Sequence, residues 1–461
     1  MSVGEILSLL MFLALALLLF SGYPVAFVLP GVALGFGVLG MIFGHFAPIE
    51  FYNITLRAWG GAAANLLLVA VPLFIYMGIM LERSGVAEEL LDTMQTLLAR
   101  VKGGLAMAVT VMGTVLAAST GIIGATVVMM GVLALPPMLQ RGYQKELALG
   151  TIAASATLGI LIPPSIMLVI MGDLLSISVG DLFLGAFVPG FLLSFLYLIY
   201  IGGVCFLNPK LAPAMSDQEL ADKRKGLPVK VVKSLLPPAF LIFLVLGSIF
   251  FGWATPTEAA GVGAFGAVLL AAMNRRLNFT TMKDVTFRTG QITSMVFLIV
   301  VGATAYSYVF RSLGGEDAID KILLSLPFGS WGILFVLMAV IFFLGFFFDW
   351  IEITLIVLPV FGPVVGKLDF GDLFATQGQQ TLWFAELVAV NLQTSFLTPP
   401  FGFALFYLKG VAPEGIRIED IYRGIIPFVV VQIVGLSLCM VFPEIVLWLP
   451  KLALSVQGVP H

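Results

Sequence analysis

Charged residues are scarce: they make up 11% of the 461 residues while 60% are hydrophobic, whereas a soluble domain carries about a quarter charged. Too little polar surface remains to cover a water-soluble body of this length. The only polar tract of linker character, Asn208 to Lys230, is too short to fold alone. Histidine and cysteine are equally sparse, with two of each. Cys205 and Cys439 stand in apolar runs, outside any metal-like or redox-like cluster, and read as small buried apolar residues. His45 and His461 have no paired-aspartate or histidine-aspartate motif within reach, so a membrane-embedded enzyme lacks a catalytic constellation. The formal charge of −3 says little, because in an apolar chain the placement of positive charge is what matters.

What the chain has instead is one apolar stretch after another. A spanning helix needs about 20 predominantly apolar residues. Strands of a membrane barrel alternate apolar and polar residues, but Leu7 to Phe20 and Phe240 to Phe251 are nearly uniformly apolar. The expected class is therefore an all-α polytopic membrane protein. Residues 6–20 follow Glu5 and lack a basic leader, so they read as a retained first span and not a signal peptide.

The chain repeats itself. Ile160-Leu-Ile-Pro-Pro-Ser165 recurs in form as Phe396-Leu-Thr-Pro-Pro-Phe401, 236 residues on. Tyr23-Pro24 answers Thr255-Pro256, and the segment from Gly85 to Asp92 loosely answers that from Gly315 to Asp320. Three matches in order point to duplication, with halves at 1–207 and 231–450, a basic linker at 208–230 and a tail at 451–461. Each half reads as five crossings plus one re-entrant hairpin. In the first half these are 6–21, 25–43, 66–81, a hairpin at 103–140, 146–171 and 182–206. In the second they are 234–251, 257–273, 290–310, a hairpin at 328–365, 381–408 and 425–448. Five is odd, so the second half enters the bilayer from the opposite side, giving an inverted repeat. Placing the linker in the cytoplasm puts 18 of the 23 Lys and Arg residues on its side and leaves Arg57, Arg311, Lys321, Lys367 and Lys451 outside, the expected segregation. Both termini are then periplasmic or extracellular.

Backbone without internal hydrogen bonds persists at membrane depth only where protein or a watery cavity surrounds it, so breaks mark sites. Four stand out: Pro163-Pro164, Pro399-Pro400, the stretch from Ala118 to Thr126 inside the first hairpin, and the stretch from Leu344 to Thr354 inside the second. Half-helix ends favour anionic groups, while unwound carbonyls and hydroxyls bind sodium. Ser119, Thr120, Thr126, Thr157, Thr394, Ser395 and Thr398 supply such hydroxyls. Any one of them is explained as well by helix packing; their clustering at breaks favours a site. Asp349 and Glu352 are carboxylates in an apolar run, costly unless they face a cavity or partner. Three residues apart, they share a face if the helix continues there. Sodium attraction, proton carriage, a cation pair and a buried hydrogen-bonded pair all remain open for them. Arg57 is either a counter-charge for an anionic substrate or a cation snorkelling at the outer interface. Asn65, Asn391 and Gln393 lie near breaks, where helix–helix hydrogen bonding explains them equally well. Glu258 reads as an N-terminal helix charge.

At these residues the chain resembles the large membrane subunit of tripartite ATP-independent periplasmic transporters. The matching pieces are Thr157 to Ser165, Gln140 to Tyr143, Ala254 to Gly261 and Leu397 to Gly402. The resemblance implies an elevator-type transporter of the ion-transporter superfamily, in which hairpins and broken helices move against a scaffold. It also implies a multi-pass location in the bacterial inner membrane, sodium as coupling ion, a small four-helix membrane subunit and a periplasmic substrate-binding protein. No four-helix block precedes Ile6, so the small subunit is expected as a separate chain. By position the sodium candidates extend to Gly159, Pro163, Gly345 and Asp349. Gly124, Ser165, Glu352, Asn391, Gln393 and Gly402 are the substrate candidates. The first hairpin tip lacks the serine-rich, acidic form of sialic-acid and C4-dicarboxylate members. Residues 348–354 and 391–395 look more like the mannitol and chloroaromatic subgroup, which implies a small organic acid such as a 2-oxoacid or lactate. The competing expectation is a stand-alone ion-coupled carboxylate carrier or ion antiporter. A purely structural subunit gives no reason for breaks at four matched depths.

Overall fold

A backbone buried in hydrocarbon must satisfy its own polar groups, and the apolar runs of this chain do so as helices. The structure, a computed structural model, describes residues 1–120, 123–215, 220, 227–399 and 402–456, apart from the side chains of 117–120, 324, 403 and 454–456. In chain order the first helices are α1 (Val3–Phe20), α2 (Val25–Ile42), α3 (Pro48–Ala58), α4 (Ala70–Arg83), α5 (Val86–Leu97), α6 (Gly104–Thr120), α7 (Ile123–Gln140), α8 (Lys145–Thr157), α9 (Ile166–Leu175) and α10 (Val179–Leu207). They are followed by α11 (Leu227–Phe250), α12 (Pro256–Met273), α13 (Phe279–Ser312), α14 (Gly315–Leu324), α15 (Ser330–Leu344), α16 (Trp350–Gly366), α17 (Gln377–Leu397), α18 (Phe403–Val411), α19 (Ile418–Val441) and α20 (Glu444–Val456). No strand occurs among the described residues.

Local sequence sets several of these boundaries. At α1, Ser2 and Glu5 form a reciprocal cap, the Glu5 amide donating to Ser2 Oγ at 3.2 Å and the Ser2 amide to Glu5 Oε2 at 2.9 Å. Thr255, Pro256 and Glu258 build the same device at α12, which gives Glu258 the capping role its position predicts. Both short amphipathic helices, α5 and α14, follow a glycine in the left-handed region, Gly85 and Gly314.

Eight helices among the described residues are long and apolar enough to cross a membrane, or nine if one bent pair counts as a single span. The sequence count of ten crossings is higher because α8 with α9, and α17 with α18, are each interrupted, and several of the pieces fall below spanning length. The bent pair is the segment before α4. There α3 runs into a π-turn at Trp59–Ala63 and a 3-10 turn at Leu67–Val69 before α4 leaves at 50°. The sequence reading begins this crossing at 66 and passes over α3, whose Glu50, Asn53 and Arg57 break the apolar pattern. The final crossing, read as 425–448, ends instead at Val441. Pro443 separates it from α20, which carries helix through residues placed in the tail.

Two groups of helices result. In the first, α4 packs along α12 and α13, and α13 along α2, with α1, α3 and α11 on the flanks. The second holds α6 to α10 and α15 to α20. Its tightest crossing is α8 on α19, where a Cβ added to Gly150 would lie 2.1 Å from the Gly424 carbonyl oxygen, so only glycine permits the approach. The groups meet where α4 packs against α6 and α9, and where α13 packs against α16.

Candidate functional site

Four interruptions in the second group lie at the breaks the sequence marks. Between α8 and α9 the chain passes through a 3-10 turn at Leu158–Ile160 and a cis Pro163–Pro164 bond. Pro164 leaves the Ile160 carbonyl without its helical donor, and Ser165 Oγ donates to it instead, while Thr157 Oγ1 donates to the Ala154 carbonyl at 2.9 Å. Thr157, Gly159, Pro163 and Ser165 are all buried. In the first hairpin α6 ends at Thr120 and α7 begins at Ile123. The side chains of Ser119 and Thr120 lie outside the described residues, Thr126 is buried in α7, and Gly124 faces α18, where an added Cβ would meet the Tyr407 ring at 2.9 Å. That glycine therefore serves packing between hairpin and broken helix.

In the second hairpin the helix stops at Leu344 and restarts at Trp350. Asp349 and Glu352 thus do not share one continuous helical face. Asp349 is the N-cap, its Oδ1 accepting from the Trp350 amide at 2.8 Å, and Glu352 Oε2 accepts from the Asp349 amide at 3.2 Å. Both carboxylates are partly buried and are drawn toward the positive end of α16. Gly345, at the end of α15, touches α17: a Cβ there would lie 2.2 Å from Ser395 Cβ and 2.5 Å from its Oγ. The second hairpin and the second broken helix are therefore in direct contact at two sodium candidates.

The end of α17 is rich in buried polar groups. Asn391 Nδ2 donates to the Met338 carbonyl at 2.8 Å, Ser395 Oγ donates to the Asn391 carbonyl at 3.2 Å, and Thr398 Oγ1 to the Thr394 carbonyl at 2.7 Å. Thr394 Oγ1 and both polar atoms of the Gln393 amide have no hydrogen-bond partner among the described residues, although both side chains are wholly buried. Leaving such a group unsatisfied costs about 1–3 kcal/mol. Gly402, buried and in the left-handed region, opens α18; Pro400 and Phe401 lie outside the described residues.

The two sets of breaks face each other across the second group, since α9 packs on α16 and α7 on α18. α17 also packs on α8 and α9, the two pieces of the first broken helix. Two further polar elements escape the sequence reading. Glu386, in the middle of α17, is wholly buried with both carboxylate oxygens unpartnered among the described residues, and Gly185 of α10 leaves the room for it. Tyr197 of α10 accepts from Gln432 Nε2 of α19 at 2.7 Å inside the same group. The signal for Glu386 is in the sequence: a lone carboxylate in an apolar run is a functional candidate by default.

Comparison with known proteins gives a consistent picture. The family model described as the tripartite ATP-independent periplasmic transporter, DctM component, matches residues 12–445. The C4-dicarboxylate large permease protein of Pseudomonas aeruginosa is 30% identical over 387 residues, covering 83% of this chain and 86% of the relative. The ectoine/5-hydroxyectoine large permease protein of Ruegeria pomeroyi is 29% identical, covering 96% and 99%, and the sialic acid large permease protein of Vibrio cholerae is 28% identical, covering 95% and 97%. Among solved structures, the YdaH transporter of Alcanivorax borkumensis superposes with a TM-score of 0.60 at 13% identity, covering 95% of this chain and 98% of that one. MtrF of Neisseria gonorrhoeae gives 0.54 at 10% identity, covering 87% and 84%. At these identities the structural likeness speaks to fold alone.

Proposed function

Because the chain belongs to the tripartite ATP-independent periplasmic transporter family as its DctM component, we propose that it is the large permease subunit of a sodium-coupled importer of a small organic acid. The reading includes a small membrane subunit and a periplasmic binding protein that delivers the acid. The observation that carries it is the end of α17. Thr394 and Gln393 are buried without hydrogen-bond partners one turn before an unwound segment, and Ser395 beside them touches the Gly345 break. Hard cations take oxygen ligands, and hydroxyls beside unwound carbonyls are the chemistry such an ion needs. The half-helix starting at Trp350 brings its two capping carboxylates, Asp349 and Glu352, beside the Gly345 break, and these oxygens suit a cation. The names of the three relatives given above cover C4-dicarboxylates, sialic acid and ectoines, molecules that share a carboxylate, while a fourth relative is named for isethionate, a sulfonate. Here the acid is taken to be a 2-oxoacid or lactate, on the form of residues 348–354 and 391–395.

In this reading the protein lies in the bacterial inner membrane with linker 208–230 in the cytoplasm and both termini periplasmic. The two halves are inverted copies, and the group built from hairpins and broken helices moves as a body past the group built around α4, α12 and α13. The test is uptake of labelled lactate or pyruvate into proteoliposomes holding this chain and its small subunit, with and without a sodium gradient and the binding protein. Uptake needing both is the expected outcome. Sodium-driven uptake without the binding protein turns the reading into a stand-alone carrier, and uptake indifferent to sodium removes the coupling ion.

A further inference from the structure

One cavity, of about 340 Å³, lies where the two helix groups meet. Its walls come from α3, α9, α13 and α16, and its polar lining includes Arg57, Asp173, Ser307, Tyr308 and Arg311. Most of these groups are already engaged. Arg311 Nε pairs with Glu316 at 2.8 Å, Asp173 Oδ1 accepts from Asn65 Nδ2 at 2.7 Å, and Tyr308 Oη accepts from Asn53 Nδ2 at 3.1 Å. Arg57 makes no ion pair or hydrogen bond among the described residues, although it lines both this cavity and the smaller one beside it. An arginine fork left free at the mouth of a cavity is matched by a planar carboxylate, which it binds through two parallel hydrogen bonds. The volume falls within the range of small-molecule sites, about 300–1,000 Å³. In the topology of the transport reading the outer side carries five cations, and two of them, Arg57 and Arg311, line this one cavity.

The cavity also leads toward the breaks. It meets α9 at Ile170 and α16 at Leu355, each a few residues past the start of its helix. Five residues of helix span about 8 Å, so the cavity wall at Ile170 and Leu355 lies about that far along its helix from the Ser165 and Asp349 breaks.

We propose that this cavity is an outer reception subsite for the carboxylate of a small organic acid, with Arg57 as its anion ligand. The proposal rests on the transport reading and adds the point at which the acid is first held. Two readouts test it on the complex with the small subunit. In proteoliposomes, Arg57→Gln is expected to raise the KM for labelled lactate at least tenfold with the saturating rate within about twofold of wild type, Arg57→Lys to fall between, and Lys451→Gln to match wild type. In detergent, lactate, pyruvate or succinate is expected to raise the melting temperature of the wild type over chloride at equal ionic strength, and the Arg57→Gln protein is expected to lose that rise. Uptake with an unchanged KM in Arg57→Gln overturns the subsite and leaves the transport reading standing. Failure of all three acids to shift the wild type overturns it as well, as does a shift that persists in Arg57→Gln. Native mass spectrometry supplies the lipid arm: a phospholipid retained by wild type and lost from Arg57→Gln, with no carboxylate shift, assigns Arg57 to a headgroup phosphate and overturns the subsite. An Arg57-dependent carboxylate shift without uptake by the wild type sustains the subsite and overturns only the transport reading.

Discussion

At the scale of single residues, the energetic weight falls on polar groups that the interior fails to satisfy. Glu386 has no hydrogen-bonding partner on either oxygen among the described residues, and holding an unpaired carboxylate ion in such a place costs several kcal/mol. Glu386→Gln keeps the volume and removes the ability to ionise. Its melting temperature in detergent is expected to equal or exceed that of wild type, and a clear loss of stability would mean that the carboxylate has a partner in the working protein. Gly345 poses the opposite problem, since it has no space to spare. Gly345→Ala is expected to cost about 1–3 kcal/mol through overpacking, seen as a lower melting temperature, and Ser395→Gly in the same chain is expected to restore it. If Ser395 also binds sodium, the double variant recovers stability without recovering sodium dependence, which separates packing from ion binding. These residues differ in how far the sequence announces them. Thr394, Ser395 and Gln393 are legible because they adjoin a Pro-Pro break. Glu386 is equally visible as an ion in an apolar run, yet its want of a partner depends on α10 and α19, which come from distant parts of the chain.

At the scale of elements, the sequence locates the breaks well because proline and glycine act locally, and it locates their consequences less well. The run from Leu344 to Thr354 reads as a break whose two acids share a face if the helix continues there. In fact α15 ends and α16 restarts, and the two acids become a helix cap. Asparagine caps helices about as well as aspartate, so Asp349→Asn is expected to keep the fold while changing the sodium concentration that half-saturates uptake; an unchanged sodium curve removes Asp349 from the coupling site. The amphipathic helix α14 is held in its C-terminal half by charge. Lys321 meets Glu5 of α1 at 2.6 Å, and Lys367 after α16 pairs with Asp320. The Glu5 carboxylate raises the Lys321 ammonium above its ordinary value. A raised lysine contributes fully below its unfolded value and loses that contribution as pH climbs through the raised one. Amide exchange in 315–324 is therefore expected to be slow at neutral pH in wild type, to quicken only in alkaline solution, and to be fast already at neutral pH in Lys321→Ala. Equal exchange in both proteins at neutral pH would assign the anchoring of α14 to its apolar face.

At the scale of the whole molecule, the sequence conveys the class and the number of breaks, because composition and apolar run length are read without knowing contacts. It does not convey which helices form a body, since that depends on pairings such as α8 with α19 and α4 with α12. The partition matters because a sliding mechanism requires that contacts within each group persist while contacts between the groups exchange. Asn65 and Asp173 sit on opposite sides of the boundary and hydrogen-bond at 2.7 Å, whereas Thr114 and Ser194 lie within the second group with their hydroxyls 2.5 Å apart. In a background with Cys205 and Cys439 replaced by serine, cysteines at 65 and 173 are expected to form a disulfide that stops uptake until it is reduced. Cysteines at 114 and 194 are expected to cross-link without effect on the rate. Arrest by both pairs would mean that the second group changes its internal packing during transport, and arrest by neither would mean that the boundary between α4 and α9 does not move.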